Sequence, residues 1–177
     1  MSFETGQFSW DHLGDIDLGR PNLGNSVSVA VYRLMQFTMR SVLYSRFGGA
    51  VTKELLREAG LVAGREFCSN LLDTSLDFNS FIAQLQERLK EMNIGVLRIE
   101  QAKPDTMEFL LTVSEDLDCS GIPVSGEAVC EYDEGFLAGL FNEYTGRSFD
   151  AQEVDCWATG DRTCRFRVWA TDTGEVP

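Results

Sequence analysis

Cys130, Glu153, Cys156 and Cys164 are the residues of this chain whose types and spacing could do chemistry. Cys156 and Cys164 bracket the run Trp157-Ala158-Thr159-Gly160-Asp161-Arg162-Thr163. Gly160-Asp161 is turn chemistry, and the flanking residues alternate as strands do. On such a hairpin the two sulfurs face each other across paired strands. With a third thiol and a carboxylate nearby, they make a four-coordinate zinc site. Two other readings stand beside it. The 5 cysteines of the chain could be buried thiols that behave as small hydrophobes. Cys156 and Cys164 could instead form a cross-strand disulfide. There is no Cys-x-x-Cys pair, and His12 is the only histidine, so the usual zinc-finger spacings are absent.

The elements that must position these residues follow from periodicity. Residues 1–26, rich in Gly, Asp and Asn, read as an extended lead-in with short strands around Phe8 and Ile16. Residues 27–47 read as a long helix with one narrow polar stripe, Arg33, Gln36 and Arg40. A helix so apolar must be covered on more than one side, as a core helix or a subunit interface. Gly48-Gly49 ends it. Residues 50–72 read as a second helix, in which Gly60 and Gly64 predict close approach by a neighbouring element or a local break. Residues 78–92 repeat apolar side chains at i, i+3, i+4 and i+7, with Asp77 as N-cap.

The period then changes to two. Residues 94–101 and 107–114 read as strands, 115–128 as a polar loop containing Cys119, and 133–145 as a further helix stopped by Gly146. The terminal hairpin is expected at 149–158 and 163–169. Helices, two strands, a helix and two strands imply an α+β domain: a small antiparallel sheet with helices packed against it. The expected organisation is a lead-in over 1–26, a single domain over 27–170 and a tail over 171–177.

Composition excludes some function classes. Asp plus Glu number 28 against 15 Lys plus Arg, a net charge of −13. Such acidity disfavours nucleic acid, whose binding is dominated by phosphate neutralisation, and anionic membrane surfaces. No apolar run is long enough for a membrane span. An odd cysteine count without a secretory leader predicts a reducing, cytoplasmic location.

Several runs resemble the 4-vinyl reductase domain family. They are Gly126-Glu127-Ala128-Val129-Cys130, the helix Gly135-Phe136-Leu137-Ala138-Gly139-Leu140, and the hairpin from Glu153 through Cys156, Gly160-Asp161 and Cys164 to Phe166. Leu18-Gly19-Arg20-Pro21, Tyr32-Arg33-Leu34-Met35 and Ala59-Gly60 to Gly64-Arg65 belong to the same resemblance, which spans most of the chain. It implies the ligand-binding-domain fold of nitric-oxide signalling and Golgi transport. In aromatic-sensing members that fold carries a zinc ion on three cysteines and a glutamate, and Cys130, Glu153, Cys156 and Cys164 match those positions. Glu153 and Cys156 are three apart, so a β-bulge must bring both to one side of the strand. Arg162 and Arg165 are the expected countercharges.

The resemblance also implies a binding module that dimerises through its helices. The expected ligand is an apolar or aromatic small molecule, a hydrocarbon in the simplest case. It would lie in a cavity lined by Phe37, Phe67, Phe81, Phe109, Phe136 and Phe141. The pocket histidine of phenol-sensing relatives has no counterpart, because His12 lies outside the cavity-forming segments. The homodimer seam is expected along Val31, Met35, Met39 and Val42. The alternatives are an adaptor subunit acting through protein contacts and an accessory protein in tetrapyrrole, or (bacterio)chlorophyll, metabolism. No nucleotide loop, flavin signature or nucleophile–base pair is visible, so no catalytic residue is assigned.

Overall fold

The computed structural model describes residues 6–172, so the outer ends of the expected lead-in and tail lie outside the described residues. The chain divides into two compact units, Met1–Thr52 and Lys53–Pro177. That division falls inside the apolar helical region, away from the expected end of the lead-in.

The lead-in forms short helices where the sequence predicts strands. Trp10–Leu13 is a single 3-10 turn. A one-turn helix, α1 (Ile16–Gly19), follows, and Asp15 caps it by accepting the Leu18 N–H at 2.8 Å. Side chains that bond their own backbone two or three residues on favour such turns over extended chain. His12 serves this local structure: its Nδ1 accepts the Ser9 N–H at 3.0 Å.

Helix α2 (Val29–Leu71) is interrupted at Gly48, whose φ of 79° and ψ of 169° are not helical. Only glycine takes that conformation at low cost, so the expected stop at Gly48-Gly49 is present as a break rather than a loop. Helix α3 (Phe78–Glu91) starts as the sequence predicts, with the Asp77 carboxylate accepting the N–H groups of Asn79 and Ser80. It buries Phe81, Ile82, Leu85 and Leu89.

Strands β1 (Val96–Lys103), β2 (Glu108–Ser114), β3 (Phe149–Asp155) and β4 (Cys164–Ala170) form one antiparallel sheet in the order β1-β2-β4-β3. Helix α4 (Glu131–Thr145) connects the two hairpins. Among the described residues no helix is long and apolar enough to cross a membrane.

Within the second unit, α4 and residues 53–71 of α2 approach so closely that backbone meets backbone. A methyl group on Gly60 or Gly64 would overlap the carbonyl oxygens of Tyr132 and Phe136. One on Gly135 or Gly139 would overlap those of Arg57 and Leu61. The glycines pair across the seam, which explains why two helix interiors tolerate residues that each cost about 1 kcal/mol in helix propensity. Of the two sequence readings for Gly60 and Gly64, close approach is the one realised. The seam matters for the site below because it fixes the first turn of α4.

Candidate metal centre

Four cysteine sulfurs converge at one end of the sheet. Cys119, Cys130, Cys156 and Cys164 are all buried, and their Sγ atoms all lie within 4.8 Å of one another. Each comes from a different segment. Cys164 begins β4, opposite Val113 of β2. Cys156 follows β3 and precedes a 3-10 turn, Trp157–Thr159. Cys130 is the N-cap of α4, and its side chain makes no capping hydrogen bond. Cys119 lies in the loop after β2, where the Asp116 carboxylate accepts the N–H groups of Asp118 (2.7 Å) and Cys119 (3.1 Å). That turn aims Cys119 inward.

The loop and the hairpin turn are stitched together. The N–H groups of Ser125 and Gly126 both donate to the Ala158 carbonyl, at 2.9 and 3.0 Å. Trp157 Nε1 donates to the Ile122 carbonyl at 3.1 Å. Gly160 takes a φ of 112° to close the turn, as the Gly160-Asp161 pair predicts.

Cys130 Sγ is 3.8 Å from Cys156 Sγ and 3.9 Å from Cys164 Sγ, and Cys119 Sγ is 3.0 Å from Cys164 Sγ. A tetrahedron with zinc–sulfur bonds of about 2.3 Å has edges of about 3.8 Å. The two Cys130 separations match that edge. All five cysteines are free thiols. The donor set therefore fits a thiophilic divalent ion.

Three of the four residues singled out in the sequence, Cys130, Cys156 and Cys164, are brought together. Glu153 reaches the same place. The β3–β4 register shifts between Glu153 and Asp155, so a bulge lies between Glu153 and Cys156. Its carboxylate is buried, and neither oxygen has a hydrogen-bond partner. Burial first, then the charge of Cys156, pushes the Glu153 carboxyl up to about 8. The Cys156 thiol is drawn well below its ordinary value because the thiols of Cys119, Cys130 and Cys164 hydrogen-bond to its thiolate.

Cys119 is the member that sequence reasoning missed. It sits in an irregular loop, where no strand or helix period says which way a side chain points. The available signal was Asp116, whose type favours a turn that binds the N–H groups two and three residues on.

The expected countercharges are placed elsewhere. Arg165 binds Glu100 at 2.9 Å and also Asp155, and Arg162 is exposed. The positive end of α4, directly at Cys130, is the nearest fixed dipole that favours thiolate.

A cleft of about 620 Å³ opens beside the cluster. Its lining includes Lys53, Arg57, Cys130, Glu131, Glu153 and Trp169. Arg57 braces it by donating to Glu134 at 2.9 Å and to the Asp150 carboxylate and the Ala151 carbonyl.

The expected pocket aromatics pack against one another. Phe81 stacks on Tyr144 with ring centroids 3.7 Å apart, and Phe67 meets Phe136 edge-on at 5.2 Å. Phe109 stacks with Phe78 at 5.0 Å and with Phe141 at 5.1 Å. Phe37 belongs to the first unit and is half-buried. None of the six lines the cleft at the cluster. Cys68 is wholly buried, and burial pushes its thiol up to about 12, which marks an unreactive core residue.

Residues 109–169 match the model of the 4-vinyl reductase domain family, about a third of the chain. An uncharacterized protein of Methanocaldococcus jannaschii is 25% identical over 85% of this chain and 80% of its own length. A vinyl-4-reductase family protein from the same organism has a similar crystal structure, with a TM-score of 0.58 and 18% identity over 84% of this chain and 85% of that one. The phenol-responsive sensory domain of the transcription activator PoxR, solved with phenol, superimposes with a TM-score of 0.64 and 12% identity over 84% of this chain and 77% of that one. These structural likenesses show a shared α+β fold.

Proposed function

From a chain that carries a 4-vinyl reductase domain at residues 109–169, we propose a small-molecule-sensing module braced by a structural zinc ion. The convergence of four buried sulfurs from four separate segments carries the metal half of this reading. A zinc ion there would cross-link the loop after β2, the start of α4 and both strands of the last hairpin. Cys119, Cys130, Cys156 and Cys164 would hold it, with Glu153 beside them. A site closed by four protein ligands is structural rather than catalytic.

The sensing half is supported by the fold shared with a phenol-responsive sensory domain and by the cleft beside the cluster. An apolar ligand among Phe81 and Phe109 would have to part stacked rings. The cleft needs no such rearrangement, and its volume is within the usual range for small-molecule sites. Glu54, Glu131, Glu134, Asp150 and Glu153 outweigh Lys53 and Arg57 on its walls, so a ligand with a cationic or hydrogen-bond-donating head suits it better than a bare hydrocarbon. The zinc would then act by holding Cys130 and Glu153, the part of the wall nearest the cluster, in place.

An exposed helix face supports a homodimer as the assembled form. Val31, Met35, Met39 and Val42 are each more than half exposed (56%, 58%, 53% and 53%). Exposed apolar surface of this extent marks an interface.

Native mass spectrometry of protein purified without added metal tests the three parts together. The expected spectrum is a dimer with bound zinc, and the Cys164→Ser protein should carry no ion at the cluster. A metal-free, folded wild type with Cys156 and Cys164 joined as a disulfide would overturn the zinc reading. Ligand binding is checked separately through Trp169, which lines the cleft. Quenching by phenol or by an aromatic amine should vanish in Trp169→Phe. Quenching that persists unchanged would move the ligand elsewhere.

A further inference from the structure

We propose that the buried cluster holds two divalent cations, the second on Asp116, Asp133 and a Cys130 thiolate that bridges to the first. This rests on the four-sulfur reading above and extends it.

Asp116, Cys130 and Asp133 each offer one ligand atom, and the three atoms lie within 4.8 Å of one another. Cys130 Sγ is thus common to two donor groups. A thiolate sulfur has lone pairs enough to bind two ions at once. The carboxylates are set for the same point by different elements. Asp133 lies one turn after Cys130 on α4, which puts both side chains on one side of the helix. Asp116 is 4% exposed, and its Oδ1 is oriented by the N–H groups of Asp118 and Cys119.

A second observation points to a cation. Asp133 Oδ2 is shut off from solvent and has no hydrogen-bond partner. A buried carboxylate oxygen without a donor carries a desolvation cost that a bound cation would offset. The charge balance leads the same way. Four thiolates outweigh one divalent ion by two charges, and the carboxylates of Asp116, Asp133 and Glu153 add to the excess. Nearby basic side chains are engaged with other acids: Lys53 with Glu131, and Arg57 with Glu134 and Asp150.

One bridging thiolate with two carboxylates is a borderline donor set that suits Zn²⁺, Fe²⁺ or Mn²⁺ better than Ca²⁺ or Mg²⁺. Three protein donors also leave this second ion a coordination position for water or a ligand atom. The two ions therefore differ in character, one closed and sulfur-bound, the other open and oxygen-rich.

Titration of the metal-free full-length chain with Co²⁺, followed by absorbance and native mass spectrometry, tests this. The first equivalent should bring the intense sulfur-to-cobalt charge-transfer bands. The second should add weaker visible bands and, through the shared sulfur, magnetic coupling between the ions. Asp133→Asn should stop at one ion with the first set of bands intact. Should that variant fail to fold, the metal–metal distance from X-ray absorption of the wild type with two equivalents of zinc decides the matter. Saturation of the wild type at one ion would overturn the second site and leave the four-sulfur reading standing. No bound ion at all would overturn both. A carboxylate pair that merely shares a proton would give one ion in the wild type and in Asp133→Asn alike, and would also sink the proposal.

Discussion

Strand β4 runs from one kind of interior into another. At Cys164 it meets sulfurs and carboxylates, whereas from Phe166 to Val168 it meets rings and aliphatic side chains. In the aromatic part, Phe78, Phe109, Phe141 and Phe149 stack on one another, and burial with dispersion accounts for their stability. In the cysteine part, four sulfurs share a space with carboxylate oxygens of Glu153 and Asp133 that have no hydrogen-bond partner. Each such oxygen costs about 1–3 kcal/mol when nothing offsets it. The first region is complete as polypeptide. The second has donors in excess, which the proposed cations would satisfy.

The sharpest break of this contrast is removal of the metal. Strong chelation, or Cys164→Ser, should lower the melting temperature by on the order of 10 °C or more, because ion binding and folding are coupled. Hydrogen exchange should show the loss concentrated in residues 116–126 and 156–164, with β1 and β2 retaining protection. A melting curve unchanged by chelation would end the distinction between the regions.

Truncation in the aromatic region should do the reverse. Phe81→Ala removes a fully buried ring and should cost about 3–5 kcal/mol in denaturant unfolding. Its metal content should stay that of the wild type.

The helix seam sharpens the comparison at a smaller scale. Gly64→Ala should destabilise by about 1–3 kcal/mol, because its methyl group would overlap the Phe136 carbonyl. Since the seam sets the first turn of α4, metal affinity should fall along with stability, whereas Phe81→Ala leaves it unchanged. Equal affinities in the two variants would remove the link from seam to site.

Glu153→Gln separates two ligand sets with a still smaller effect. With four sulfurs as ligands, the variant should keep its metal and change stability by less than about 1 kcal/mol. Loss of the ion, with Cys119→Ser retaining it, would restore the three-cysteine-plus-glutamate set. The Co²⁺ spectrum distinguishes the cases, since an oxygen ligand shifts the visible bands. Met35→Glu with Met39→Glu should have the least effect on stability, within about 0.5 kcal/mol for a surface change. Sedimentation should nevertheless show monomers in place of dimers.

Much of this is legible in the chain itself. The α+β order, the Asp77 cap, the break at Gly48, the Gly160 turn and three of the four clustered sulfurs are readable because each depends on local periodicity or on one residue's backbone preference. Even the bulge after Glu153 is inferable, since a regular strand cannot turn residues three apart to the same side. Other features are decided only by the tertiary structure. Cys119 joins the cluster because a loop without periodicity is pinned by Asp116 and by hydrogen bonds to a turn about forty residues later in sequence. The phenylalanines expected around a cavity close on one another instead, since hydrophobicity marks a side chain as interior without saying whether rings or a ligand will fill the space. Arg165 is drawn to Glu100 and Asp155 by register across the sheet, which sequence proximity to the cysteines does not reveal. What depends on one turn of chain is written in that turn, whereas the meeting of distant segments depends on how the whole interior is filled.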